Sequence, residues 1–390
     1  MRYLLITGWQ RSGTTLLGRA LNVHPRMTVV YQPLTAFYKM CRKLFNERIL
    51  CLSFDKNSPM DDDFLKDEII KKSFVNNLKY IHFTEDDISE LKADLIKDQD
   101  AKSNFWSKVE TNLNELKKGS LENVLFQLLN ILKNSCPEKD IVILGTKDNY
   151  CEQFIRPFIA EFNLDYRCIQ VIRDPRAVTA SRNSGSYLEK SKKKYPLLFV
   201  IRNWRKSIAY HFSSAKLSNY MGIKYEEFVK SPEVKSREIC DFLDIEYSSN
   251  LLDCDIYVDE DGNKWSHNSS FFREEKGINK GSLEKWKEIL SHDEIGLIQF
   301  LCKREMNYLG YELQNIPFGI RELLNYEEKI DEIKEWFKDF DYFFNEENLK
   351  KEIVREYLFE NEFLMNSDDL NVLRNKFFIT NEAYECLLKR

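Results

Sequence analysis

The sequence predicts an α/β fold: a central parallel sheet flanked by helices, with a helical insertion and a helical C-terminal extension. Three observations carry this reading. Short apolar runs alternate with helix-like segments: RYLLIT at 2–7, MTVVY at 27–31, DIVILGT at 140–146 and YRCIQVI at 166–172. That is the pattern of parallel strands covered on both faces by crossover helices. Between 34 and 138 the periodicity is helical and highly charged, as in DDDFLKDEIIKKSF and SLENVLFQLLNILKNS. From Arg321 to Arg390 it is helical again.

In chain order, residues 2–7 read as a buried strand, followed by a loop and a helix from about Thr14 to Asn22. Residues 27–31 are a second strand. The 34–138 stretch is an excursion between sheet strands. A strand returns at 140–146, then a helix near Cys151–Glu161, then a strand at 166–172. The next helix opens at Pro175, a good first helical residue because it lacks the N–H that would go unpaired there. MGIKYEEF at 221–228 offers one more strand end, and 282–309 reads as two helices. The chain divides into a domain at 1–315, with 34–138 inserted in it, and an extension at 316–390.

Composition bounds the function. Of the 390 residues 43% are hydrophobic, enough for a sizeable core, and a net charge of −5 argues against general nucleic-acid binding. The 321–390 tail holds 18 acidic and 11 basic residues, so the acidic balance lies there and the remainder is slightly positive. No run reaches the roughly 18 apolar residues of a membrane span. Arg2 leads directly into the first strand with no signal-peptide layout, so a cytoplasmic location is expected. Nine cysteines without Cys-x-x-Cys spacing read as free thiols.

Two segments carry chemistry. Gly8-Trp9-Gln10-Arg11-Ser12-Gly13-Thr14-Thr15 follows the first strand and opens the first helix. It has the phosphate-loop spacing G-x-x-x-x-G, with Thr14 where a lysine is usual. The fold is therefore expected to be P-loop NTPase-like. Loop N–H groups and the positive end of the helix favour an anion, and Arg11 can supply the missing charge. A kinase would need the lysine on its β/γ-phosphates. The second segment is CIQVIRDPRAVTASR, 168–182. Arg173 ends its strand and Ser181 lies two helical turns on. Both can reach the carboxyl edge of the sheet, where open α/β sheets bind ligands. ATP needs one contiguous cradle, whereas a nucleotide phosphorylated at both 5′ and 3′ positions needs two separated sites. His24, in NVHPRM, reads as a structural imidazole at a helix end.

With these motifs the sequence resembles the PAPS-dependent sulfotransferases, bacterial type, which move a sulfuryl group from 3′-phosphoadenosine-5′-phosphosulfate (PAPS) to an acceptor and release the bisphosphate PAP. GWQRSGTTLLGRALNVHP resembles the family's 5′-phosphosulfate loop, which implies that Arg11, Ser12, Gly13, Thr14 and Thr15 hold that group. VIRDPRAVTAS resembles the 3′-phosphate motif, which implies binding roles for Arg173 and Ser181. KYEEF (224–228) resembles the strand end that follows, which implies Tyr225 near the adenosine. KGINKGSLEKW (276–286) resembles the family's C-terminal segment, which implies Lys276 and Gly277 over the 3′ end, and the preceding SSF (269–271) implies Ser270 or Ser269 on a sulfate oxygen. The resemblance spans 1–310 and leaves the tail outside.

Catalytic expectations follow from the same likeness. Lys147 in LGTKDNY stands where related enzymes face a lysine to the sulfuryl group, and no metal is required. Where protein-tyrosine relatives place a glutamate base, this chain has Gln32, which cannot take a proton. Asp148, Glu152 or His82 could serve instead; the acceptor could be an amine or already acidic; or Gln32 could only orient the acceptor or mark a disabled enzyme. The implied acceptor is a hydroxyl or amine of a small molecule or glycan. The insertion would wall its pocket, with most of Phe37, Tyr38, Phe74, Tyr80, Phe105 and Trp106 in the core. The terminal helices would cover the pocket or form a homodimer contact. A P-loop nucleotide or small-molecule kinase, and a non-catalytic nucleotide-binding relative, are the competing readings.

Overall fold

Six of seven residues in the strand YRCIQVI, and five of six in RYLLIT, are buried, and such strands must be covered on both faces. In the computed structural model they form the centre of a five-stranded, all-parallel sheet. The structure describes residues 2–56, 74, 76–97, 103–136, 140–149, 151–162, 164–184, 188, 193–265, 278, 280–329, 332–333, 337, 342–361 and 367–388. In chain order its main elements are β1 (Arg2–Thr7), α1 (Thr14–Asn22), β2 (Met27–Tyr31) and α2 (Thr35–Leu44). The insertion adds β3 (His82–Phe83), α3 (Glu85–Lys97), α4 (Asn104–Asn112), β4 (Gly119–Ser120) and α5 (Leu121–Ser135). The sheet resumes with β5 (Ile143–Lys147), β6 (Tyr166–Ile172), α6 (Pro175–Arg182), α7 (Leu197–Ser214), β7 (Tyr220–Lys224), α8 (Tyr225–Lys230) and α9 (Pro232–Leu243). The C-terminal part comprises α10 (Trp286–Ile289), α11 (His292–Tyr308), α12 (Ile320–Leu324), α13 (Glu346–Asn361), α14 (Ser367–Phe378) and α15 (Asn381–Leu388).

The sheet order is β2-β5-β1-β6-β7, with β3 and β4 forming a separate antiparallel pair. Registers pair Tyr31 and Ile6 with Lys147, and Ile172 with Lys224. The carboxyl ends of all five strands therefore line up along one edge.

Strands 2–7, 27–31 and 166–172, and the helices at 14–22 and from Pro175, lie where the sequence puts them. Two expectations shift. The third strand starts at Ile143 and runs on to Lys147. The helix expected at 151–161 is broken into a 3₁₀ turn, Glu152–Phe154, and a π turn, Pro157–Glu161, because Pro157 has no N–H to continue the ladder. Residues 325–329 and 342–345, within the tail read as helical throughout, are not helical.

One face of the sheet is covered by α1 and α9, through Leu4, Ile6, Leu17, Leu21, Ile169, Ile223 and Ile239. The insertion covers the other, through Leu5, Val30, Phe37, Tyr38, Leu125, Leu129 and Leu144. Of the insertion aromatics, Phe37, Tyr38, Phe74, Phe105 and Trp106 are buried and Tyr80 is exposed. Ser103 caps α4 and Ser120 caps α5, each accepting an N–H three residues on. A third core joins α6, α7 and α11 to the terminal helices through Val178, Trp204, Leu301, Leu358 and Tyr384. A buried charge network crosses this junction. Glu352 of α13 accepts from Arg202 and Arg205 of α7, each at 2.8 Å, and Arg355 bonds Glu305 of α11. No helix among the described residues is long and apolar enough to cross a membrane. The nine cysteines are free thiols.

Candidate active site

The loop between β1 and α1 is built on unusual backbone. Gly8 and Gly13 have φ of 147° and 99°, and Arg11, a non-glycine residue, sits at 68°. Such conformations are uncommon for a side-chain-bearing residue and cluster at ligand sites. At Gly8 a Cβ would stand 2.3 Å from the Val171 carbonyl oxygen, and at Gly13 it would stand 2.2 Å from the Tyr225 ring. Only glycine lets the loop lie this close to β6 and α8. Neither a capping side chain nor an acidic residue occupies the first turn of α1. The anion-favouring end of that helix is left uncompensated by the chain itself.

Arg173, at the end of β6, is buried and lies beside this loop. Its guanidinium stacks at 4.3 Å over the Tyr225 ring and donates to the Arg11 carbonyl (2.9 Å) and the Ser282 carbonyl (3.1 Å). Its Nε is buried with no hydrogen-bond partner among the described residues. Ser181, two turns into α6, accepts from Arg11 Nε at 3.0 Å. Asp174 caps α6 by accepting the Arg176 N–H. The two segments thus meet: Arg11, Gly13, Arg173, Ser181 and Tyr225 form one cluster. Thr14 is buried with its hydroxyl directed to Asn149 (3.4 Å), and Ser12 is buried while Thr15 is half-buried. Sequence reasoning missed Ser282, whose hydroxyl bonds the Tyr225 hydroxyl at 3.0 Å. Its signal was the second Lys-Gly pair, Lys280-Gly281, four residues after the first. Lys276, Gly277, Ser269 and Ser270 lie outside the described residues.

A second cluster occupies the ends of β2 and β5. Lys147 is buried, its Nζ 4.4 Å from the centre of the Tyr31 ring. Burial pushes its ammonium down to about 7; Arg11 and Arg19 push the same way and Asp148 opposes. Asp148, fully buried, is pushed up to about 7 by desolvation against the hydrogen bond from the Leu34 N–H. Its other oxygen, Oδ2, has no hydrogen-bond partner. Gln32 takes a positive φ of 50° and donates its N–H to the Lys147 carbonyl at 2.8 Å. Lys147 and Asp148 therefore hold the 32–34 turn from one side. Glu152 is buried; burial pushes the Cys168 thiol and the Tyr210 and Tyr220 phenols up, away from ionisation, and the Glu152 carboxylate adds to that. His82 is exposed on β3. His24 is structural: its ring bonds the Glu246 carbonyl at 2.8 Å and accepts the Arg26 N–H.

A sequence model of the sulfotransferase family matches residues 4–249, which include both anion segments and the Lys147 strand. The chain belongs to the sulfotransferase family. Among curated relatives, zebrafish (Danio rerio) carbohydrate sulfotransferase 1 is 23% identical over 222 residues, covering 50% of each chain. Mouse (Mus musculus) carbohydrate sulfotransferase 3 is 24% identical over 210 residues, covering 46% of this chain and 41% of the relative. The chain thus spans about half the length of the curated relatives it matches. Among solved structures, the sulfotransferase domain of the curacin biosynthetic pathway has a TM-score of 0.47 at 20% identity, covering 80% of this chain and 99% of the domain. Retinol dehydratase bound to retinol and PAP has a TM-score of 0.32 at 12% identity, covering 80% and 84%.

Proposed function

We propose that this sulfotransferase-family chain transfers a sulfuryl group from PAPS to a hydroxyl or amine of a small molecule or glycan. The observation that carries the reading is the joint cluster in which the Gly8–Thr15 loop, Arg173, Ser181 and Tyr225 meet, with the Arg173 Nε buried and unpartnered. The cluster has two parts, the loop with its N–H groups and the Arg173–Ser181 pair, which suits a donor with both 5′ and 3′ anionic groups. The loop with Arg11, Ser12, Gly13, Thr14 and Thr15 would hold the 5′-phosphosulfate. Arg173 and Ser181 would hold the 3′-phosphate, with Tyr225 beside the nucleoside. Lys276 and Gly277 would close over the 3′ end and Ser270 would meet a sulfate oxygen.

In the transfer, the acceptor atom bonds to sulfur as the sulfur–oxygen bond to the 5′-phosphate breaks. Charge grows on the departing phosphate, so catalysis is chiefly positioning and electrostatics. Arg11 and the loop N–H groups would meet that charge, and Lys147 would face the sulfuryl group. Gln32 would orient the acceptor. Of Asp148, Glu152 and His82, only Asp148 is bonded to the turn that carries Gln32, and we assign it the acceptor proton. The 34–138 insertion would form the acceptor side of a domain spanning 1–315, and the 316–390 helices would be an extension capable of homodimer contact. We infer a cytoplasmic enzyme.

Calorimetry with adenosine 3′,5′-bisphosphate, adenosine 5′-monophosphate and ATP tests the donor. The bisphosphate is expected to bind tightest, and Arg173→Ala to weaken it far more than the monophosphate. Tight ATP binding with no bisphosphate binding would establish the kinase reading instead. Asp148→Asn is expected to lower kcat about 10²-fold or more with donor affinity kept; unchanged turnover would move the base elsewhere.

A further inference from the structure

The segment that leaves α11, residues 309–314, touches the 3′-phosphate motif by two independent routes. On the first, Tyr311 donates its hydroxyl to Glu226 Oε2 at 3.1 Å, and Glu226 Oε1 accepts the Asp174 N–H at 2.9 Å. On the second, Gln314 and Gln299 bond each other twice, at 2.8 and 3.0 Å, and Gln299 Oε1 accepts from Arg176 at 2.7 Å. Arg176 in turn grips both oxygens of the Asp174 carboxylate, at 2.6 and 3.0 Å, and stacks at 4.0 Å on Trp286. Lys224 donates to the Leu309 carbonyl at 2.9 Å and anchors the near end of the segment to β7.

Both routes end on Asp174, one at its backbone and one at its side chain. Asp174 is the residue after Arg173, and the Arg173 carbonyl is held by Trp204 at 2.8 Å. Both hydrogen-bonding groups of the Arg173–Asp174 peptide, the Arg173 carbonyl and the Asp174 N–H, are thereby engaged. A capping aspartate needs only the Arg176 N–H to start α6. The added Glu226, Tyr311, Gln299 and Gln314 contacts exceed that need, and they come from the far side of the chain.

We propose that residues 309–314 act as a strap that sets the position of Arg173, with Glu226 and Tyr311 as positioning residues for recognition of the donor's 3′-phosphate. The proposal rests on the 3′-phosphate role assigned to Arg173. It gives the stretch between α11 and the C-terminal helices a role in donor selection. A helix start that was merely stabilised would affect all ligands alike. A strap aimed through Arg173 affects only the ligand that carries the 3′-phosphate.

The test is calorimetric titration of wild type, Tyr311→Phe, Glu226→Gln and Arg173→Ala with adenosine 3′,5′-bisphosphate and with adenosine 5′-monophosphate. Tyr311→Phe removes one hydroxyl and keeps the ring, so it guards against a Glu226→Gln variant that fails to fold. Bisphosphate binding is expected to weaken about fivefold in Tyr311→Phe and about tenfold or more in Glu226→Gln, with monophosphate binding within about twofold of wild type. Equal losses for both ligands, or no loss for the bisphosphate, would overturn the strap. Arg173→Ala separates the two ideas. If it weakens both nucleotides equally, the reading of the site fails. If it selects against the bisphosphate while Tyr311→Phe and Glu226→Gln do not, only the strap fails.

Discussion

At the scale of single residues, the consequential pair is Lys147 and Asp148. Burial drives an amine down and a carboxyl up until both titrate near 7. Transfer as proposed needs Lys147 charged, which holds below about 7, and Asp148 ionised, which holds above about 7. The pH dependence of kcat/KM, which reports the free enzyme, is therefore expected to be a narrow bell centred near neutrality, its limbs belonging to the pair. Lys147→Arg keeps its charge at higher pH and should extend the alkaline limb; a bell unchanged in that variant would detach the limb from Lys147. Gly13 gives a second check. With φ at 99° and the Tyr225 ring 2.2 Å from any added Cβ, Gly13→Ala is expected to cost bisphosphate affinity and thermal stability together, read by calorimetry and a melting curve.

At the scale of elements, the extension is fastened by charge as well as by apolar packing. Glu352, buried between Arg202 and Arg205, is held at about 2 by those guanidiniums against the desolvation that raises it. A carboxyl depressed on folding adds stability that is present above its unfolded value, about 4.5, and is lost as pH falls toward 2. Glu352→Ala removes the only anion bonded to Arg202 and Arg205 among the described residues, leaving these largely buried guanidiniums with the neutral Asn348 side chain and Leu301 carbonyl, and is expected to destabilise the fold by about 3–5 kcal/mol in urea titration at pH 7. Near pH 2 the gap to wild type should shrink. None of this could be read from KEIVREYLFE, because a charge on a helix pattern gives no sign of whether its partner is water or a distant arginine. The strands were legible for the opposite reason. RYLLIT and YRCIQVI need no partner identity, only burial, and composition shows that directly. The helix expected at 151–161 is interrupted because Pro157 has no N–H to continue its ladder.

At the scale of the molecule, the two anion segments were readable separately, and their juxtaposition was implied only by the sheet edge. What the sequence could not carry was the exchange between them: Arg11 reaching Ser181 across 170 positions, and Arg173 reaching back to the Arg11 carbonyl. Ser282 was hidden for the same reason, being a long-range partner beside a duplicated Lys-Gly pair. The third core extends from α6 to α15 without a break. A chain ending at residue 315 would bare the apolar faces of α7 and α11, and it is expected to be insoluble or to bind a hydrophobic dye strongly, whereas an autonomous domain would stay monomeric and folded.

The strand order has a further consequence, in time rather than in space. β1 and β2 are first to leave the ribosome, yet neither touches the other in the finished sheet, because β5 stands between them. β2 ends at Tyr31 and β5 begins at Ile143, so two apolar strands must wait for more than a hundred residues of insertion before either has its partner. Non-local parallel pairing of this kind is slow and leaves unpaired edges open to other chains. The nascent protein therefore passes through an interval in which its β1–α1 loop is already made but its sheet is not. The return of the chain at β5 closes that interval and places Lys147 at the sheet edge.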